Sequence, residues 1–239
     1  GEFDEKSWVQ TVEDIRSKKH CLEEVIFSGG DPLSETNDKL DRYLGEIREI
    51  DHIRFIRIHT RALTFCPMRI DEELASILKR HRVNAIHLNI AHVREIVTPE
   101  FQKALALLRK DAEIPHIRAH TPFLRGVNDQ IWTLKKLFLG LYEKGIDPYY
   151  LIHAFPHTAT ASYHRPSVRQ GADFMRRLKR NITNGAMPEY IIAPIGGKIT
   201  VSPEFYGTPE FQYETRGDGW PQVRATNWRG EWIEYLDSP

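Results

Sequence analysis

Two glycine pairs carry the first signs of chemistry. Ser28-Gly29-Gly30-Asp31-Pro32 follows the β-branched and aromatic run Glu24-Val25-Ile26-Phe27, and its glycines let the backbone approach a ligand closely and present N–H groups to it. Pro32 then stiffens the exit. A tight turn without a ligand is an equal reading of the same residues. The second pair, in Ile195-Gly196-Gly197-Lys198, feeds a lysine. An amine on such a turn suits Schiff-base chemistry, because it must reach a carbonyl and then swing aside. Taken alone, a hairpin with a solvated lysine is the simpler account.

Eleven histidines are present, and His59, His92, His120, His153 and His157 fall near the ends of strand-like runs. Histidines at barrel strand ends can hold zinc or another divalent metal, so a metal-dependent barrel hydrolase is one expectation. Against it, the first strand has no His-x-His pair and no carboxylate ligand follows the last. Hydrogen bonding to a substrate or a phosphate is the other use for these side chains. The two cysteines, Cys21 and Cys66, lie far apart and form neither a disulfide framework nor a closely spaced thiolate site.

The composition removes several classes of partner. Lys plus Arg equals Asp plus Glu at 33 each, which leaves no net field to attract nucleic acid or an anionic membrane. Hydrophobic residues at 41% and charged residues at 28% are ordinary for a globular protein. No apolar run approaches the roughly 20 residues of a bilayer span, and the opening Gly-Glu-Phe-Asp-Glu-Lys does not read as a signal peptide. The expected address is the cytoplasm and the expected partner a small molecule; a homo-oligomer is compatible with all of this.

The elements that must position these residues alternate as βα units do. Helices are predicted over about Lys6 to Lys18, Asn37 to Ile50 (with Leu40, Tyr43, Leu44 and Ile47 on one face), Asp71 to His81, Thr98 to Lys110, Asn128 to Lys144 and Val168 to Arg180. Strands are predicted at Glu24 to Phe27, Ile53 to His59, Ala85 to Ile90, Ile117 to His120 and Tyr149 to Ala154. Pro188 to Val201 gives two short extended pieces, and the remaining tail, rich in Gly, Pro, Trp and Tyr, reads as short strands and loops. A parallel α/β barrel is the simplest architecture, and the chain opens on a helix where a strand is expected. In such barrels the working groups sit on the loops after the strands, which is where most of the polar candidates fall.

Six motifs in order make the pattern specific. Glu-Val-Ile-Phe-Ser-Gly-Gly-Asp-Pro-Leu (24–33), Arg-Ile-His-Thr-Arg (57–61), Phe-Leu-Arg-Gly-Val-Asn-Asp (123–129), Asp-Pro-Tyr-Tyr-Leu (147–151), His-Arg-Pro-Ser-Val (164–168) and Gly-Gly-Lys (196–198) resemble the lysine 2,3-aminomutase family of radical S-adenosylmethionine enzymes, including the relatives that β-lysylate elongation factor P. The resemblance implies a partial (β/α)6 TIM-like barrel over 1–185, with a C-terminal extension of short strands and loops over 186–239 that carries the cofactor lysine. It implies an isomerase that moves an amino group between Cα and Cβ of an amino acid.

Three cofactors come with that family. Ser28, Gly29, Gly30 and Asp31 would hold the methionyl end of S-adenosylmethionine, with His120 where the family often has a glutamine that contacts it. Lys198 would anchor pyridoxal phosphate, with Arg61, Arg125 and Asn128 as rim contacts to cofactor or substrate. The [4Fe-4S] cluster would be bound upstream of residue 1, since the family's Cys-x3-Cys-x2-Cys motif is not in this chain and three thiolates are needed; no metal ligand is expected within it. Lysine-acting members carry acidic residues where Phe155 and Ala193 stand here, so free lysine is not the expected substrate, and a one-residue shift would bring His153 or His157 into that place. A degenerate barrel that binds pyridoxal phosphate or an amino acid without catalysis is the alternative.

Overall fold

The computed structural model describes residues 5–154, 161–193, 198–201, 211–219, 221–226 and 231–236. Several of its helices begin where the sequence places good caps. Helix α1 (Glu5–Ser17) leads into strand β1 (Glu24–Phe27). Thr36 caps α2 (Asn37–Arg48) by accepting the Lys39 N–H, and the face Leu40, Tyr43, Leu44 and Ile47 is buried as its helical spacing predicts. Strand β2 (Phe55–Thr60) and the single turn α3 (Ala62–Phe65) follow. Asp71 caps α4 (Glu72–Arg80), which leads to β3 (Ala85–Asn89). Thr98 caps α5 (Pro99–Lys110), whose first residue is a proline, the position where a missing N–H costs nothing.

Contacts divide the chain into two units. The first holds residues 1–90 and 94–119, the second 91–93 and 120–239, so β4 (His116–Phe123) begins in one and ends in the other. In the first unit β1 pairs parallel with β2, and β2 pairs parallel with β3. Its core includes Leu33, Ile56, Ile58, Leu74, Leu78, Ile86 and Phe101. The second unit contains α6 (Ile131–Glu143), β5 (Asp147–His153), α7 (Ala161–His164), α8 (Val168–Lys179), β6 (Glu189–Ile192) and β7 (Ile199–Thr200). Here β5 pairs parallel with β6, and β6 pairs antiparallel with β7. Leu134, Leu137, Phe138, Leu141, Leu151, Met175 and Leu178 are buried in it.

The hydrogen-bonded strand order is β1-β2-β3-β4-β5-β6-β7, a linear and mostly parallel series with β1 and β7 at its ends. The α/β class and a mostly parallel sheet that does not close are as the sequence implied. The tail forms a separate antiparallel sheet of β8 (Phe211–Thr215), β9 (Pro221–Thr226) and β10 (Trp232–Leu236), in agreement with the short strands expected there. Among the described residues no helix is long and apolar enough to cross a membrane.

Candidate active site

Most candidate side chains sit at strand ends because each strand hands the chain to a loop there. In the first unit β1 runs into Ser28-Gly29-Gly30-Asp31. Gly29 and Gly30 take φ of +91° and +65°, which side-chain-bearing residues rarely adopt, and a Cβ on either would meet open space. The conformation, and not crowding by protein atoms, is what demands glycine. Their backbones therefore border room that a ligand can enter, which fits the methionyl end of S-adenosylmethionine. An apolar cavity of 490 Å³ adjoins this loop and β1, with Trp8, Ile15, Phe27 and Tyr43 in its wall.

Asp31 behaves differently from its glycine neighbours. Its Oδ1 accepts the Thr60 hydroxyl at 2.6 Å and the Leu33 N–H at 3.1 Å, and its Oδ2 accepts the Arg61 N–H at 2.6 Å. Its carboxylate thus joins the β1 loop to the end of β2. Arg61 is exposed at the start of α3, with its guanidinium 4.2 Å from the centre of the Phe65 ring. His59, expected at the rim, stacks on His87, its cross-strand partner, with ring centres 4.9 Å apart.

The second unit gathers the remaining candidates. His120 is 7% exposed and lies against Tyr149 and Tyr150, with ring centres 5.8 and 5.4 Å away. Lys198 is exposed just before β7, and its Nζ stands 4.8 Å from the centre of the Tyr150 ring. Among the described residues no carboxylate pairs with it. An accessible amine beside an aromatic face fits the anchor of a planar aldehyde cofactor. Arg125 is exposed, and its backbone is clamped to His164: its N–H donates to the His164 carbonyl at 2.8 Å, and His164 Nδ1 lies 3.1 Å from its carbonyl. Asn128, expected at the rim, is fully buried. Its amide donates to the carbonyls of Ala91 and Pro122, and its oxygen accepts the Leu124 N–H, so it shapes the loop that presents Arg125.

His153, at the end of β5, is 4% exposed and hydrogen-bonded on both nitrogens. Arg165 Nε donates to its Nε2 at 3.4 Å, which leaves Nδ1 as the protonated nitrogen, 2.8 Å from the Tyr190 hydroxyl. Burial, reinforced by the Arg165 charge, lowers its pKa to about 4, so the ring is neutral at physiological pH. Ala193 is half-buried just after β6 and offers no counter-charge. Phe155 and His157, together with Gly196 and Gly197, lie outside the described residues.

Cys21 and Cys66 are both exposed, and among the described residues no group of three or more His, Cys, Asp or Glu side chains is arranged to hold a metal ion. These residues do not fit an iron–sulfur cluster. Sequence reasoning missed Thr60, Arg69, Tyr190 and Arg165. Thr60 and Arg165 lay inside quoted motifs between more conspicuous neighbours, whereas nothing local marks Arg69 or Tyr190.

Comparison with known proteins adds ancestry to this geometry. The L-lysine 2,3-aminomutase of Methanococcus maripaludis is 35% identical over 202 residues, 84% of this chain and 46% of that protein. The chain is a relative of the lysine 2,3-aminomutases. The Escherichia coli L-lysine 2,3-aminomutase is 32% identical over 83% of this chain and 56% of its own length. A glutamate 2,3-aminomutase from Clostridioides difficile is 28% identical over 98% of this chain and 53% of its own length. The chain therefore spans about half the length of the curated relatives it matches. No family model matches it. Among solved structures, a domain of a pyruvate-formate lyase-activating enzyme from Bacteroides vulgatus has a TM-score of 0.47 and 13% identity, covering 71% of this chain and 98% of that one.

Proposed function

We propose that the chain provides the cofactor- and substrate-binding part of a radical S-adenosylmethionine, pyridoxal-phosphate-dependent aminomutase, an isomerase that moves an amino group between Cα and Cβ of a small-molecule amino acid. The observation that carries this reading is Lys198: an exposed amine beside the Tyr150 ring, in a chain related to 2,3-aminomutases over most of its length. When bound, pyridoxal phosphate supplies a conjugated ring that delocalises charge or an unpaired electron, and S-adenosylmethionine supplies the radical source.

The chain's own residues have defined tasks in this reading. The Ser28–Gly30 backbone receives the amino-acid end of S-adenosylmethionine. Lys198 anchors pyridoxal phosphate, and Arg125 offers a cation for an anionic group. His120, buried against Tyr149 and Tyr150, gives a dry aromatic wall that excludes water. Neutral His153 accepts from Arg165 and keeps that guanidinium oriented. Free lysine is not the proposed substrate, because Ala193 itself carries no charge to pair with a remote ammonium.

A barrel that binds pyridoxal phosphate without catalysis is the second reading, since the exposed Lys198 amine beside the Tyr150 ring serves it equally. One experiment tests the shared cofactor assignment. Incubation with pyridoxal phosphate followed by borohydride should attach the cofactor to the Lys198 peptide, as read by mass spectrometry, and Lys198→Ala should abolish the label. Absence of label at Lys198 in the folded protein overturns the assignment. Assay of a longer protein that includes the cluster motif then separates the two readings, since only the first predicts isomerisation.

A further inference from the structure

The loop after β1 is held by side chains to which ligand binding assigns no task. Three hydrogen bonds from Thr60, Arg61 and Leu33 occupy the Asp31 carboxylate, which leaves about one of its roughly four acceptor sites. Thr60 is only 2% exposed, and its oxygen also accepts the Ala62 N–H at 2.9 Å, so its hydroxyl hydrogen is directed at Asp31. On the far side Arg69 donates from Nε to the Leu33 carbonyl at 2.8 Å and from Nη2 to the Glu35 carbonyl at 3.0 Å. Between β1 and these anchors lie Gly29 and Gly30, the two residues with the most backbone freedom and with open space beside them.

We infer that Asp31, Thr60 and Arg69 are positioning residues: they hold the Gly29 and Gly30 amides ready for the amino-acid end of S-adenosylmethionine, and Asp31 is not itself a ligand. The inference rests on the reading of this loop as the S-adenosylmethionine site. A glycine pair without such anchors samples many conformations, and ordering them on binding would weaken affinity. The clamp removes that loss beforehand, because the Asp31 and Arg69 bonds fix the loop where it leaves the glycines.

The test titrates S-adenosylmethionine into the full chain and follows the Gly29 and Gly30 amide resonances by NMR. Thr60→Ser keeps the hydroxyl and should bind as the wild type does. Thr60→Val keeps the shape but loses the hydrogen bond, and Asp31→Asn sets an amide donor against the Arg61 N–H; both should bind at least tenfold more weakly. Arg69→Lys, which cannot span both carbonyls, gives an independent arm if a variant at Thr60 or Asp31 fails to fold. Equal affinity in folded Thr60→Val, Asp31→Asn and Arg69→Lys overturns the clamp and leaves the loop's ligand standing. Tighter binding by Thr60→Val overturns it by making Asp31 a ligand. If the wild-type glycine resonances do not move, the reading of the loop fails and takes the clamp with it.

Discussion

At the scale of single residues, the second unit depends on a contact chain that starts at a glycine. Gly171 in α8 lies against Tyr190, and a Cβ there would overlap the tyrosine ring and hydroxyl. That hydroxyl is held by His153, which in turn accepts from Arg165. Gly171→Ala should therefore destabilise by about 1–3 kcal/mol through overpacking, even though alanine favours helix by about 1 kcal/mol. The urea midpoint measures the loss, and Gly171→Ala/Tyr190→Leu should recover part of it by making room. A glycine in a helix signals some reason for its presence, but its partner lies 19 residues on and cannot be read from the sequence pattern. The same holds for Thr60, whose hydroxyl serves a carboxylate 29 positions earlier.

At the scale of elements, a single arginine ties a corner of the first unit together. Arg48, at the end of α2, donates from Nε to the His81 carbonyl at 2.8 Å and from Nη2 to the Arg82 carbonyl at 2.8 Å. Its Nη1 reaches the carbonyls of Ile53 and Arg54 at 3.4 and 3.3 Å, so the ends of α2 and α4 meet the approach to β2 through one fork. Arg48→Ala should cost about 2–4 kcal/mol, because several carbonyls lose a charged donor together, and the urea midpoint checks it. Arg48→Lys should recover little, since an ammonium cannot reproduce the fork. Much of the helical pattern was legible: Asp71 and Thr98 mark two of the starts, and the buried face of α2 follows its spacing. The strand ends were less so. β4 continues through Thr121-Pro122-Phe123, because Thr121 and Phe123 are buried, whereas a proline after His120 reads as a stop.

At the scale of the whole molecule, acid should act in two windows. His153 titrates at about 4 in the fold against 6.5 ordinarily, so the unfolded chain takes up its proton first as pH falls. Stability from this group is complete above pH 6.5 and is lost between 6.5 and 4, with a slope of at most about 1.4 kcal/mol per pH unit. His153→Gln should flatten the urea midpoint across that window. Asp41 adds a second loss, because its hydrogen bond from His81 and the nearby Arg80 hold its carboxyl below the ordinary 3.8. That contribution disappears only as pH falls beneath 3.8, so Asp41→Asn should change the acid limb below that point and leave the upper window alone. Strand β1 ends the sheet order, and among the described residues no strand flanks its outer side, while Ile26 is 45% exposed on it. An apolar side chain exposed on such a strand favours adhesion between copies of the chain. The colloidal shelf life of the protein should shorten as it is concentrated, with turbidity growing faster than linearly, and a lysine in place of Ile26 should keep the solution clear for longer.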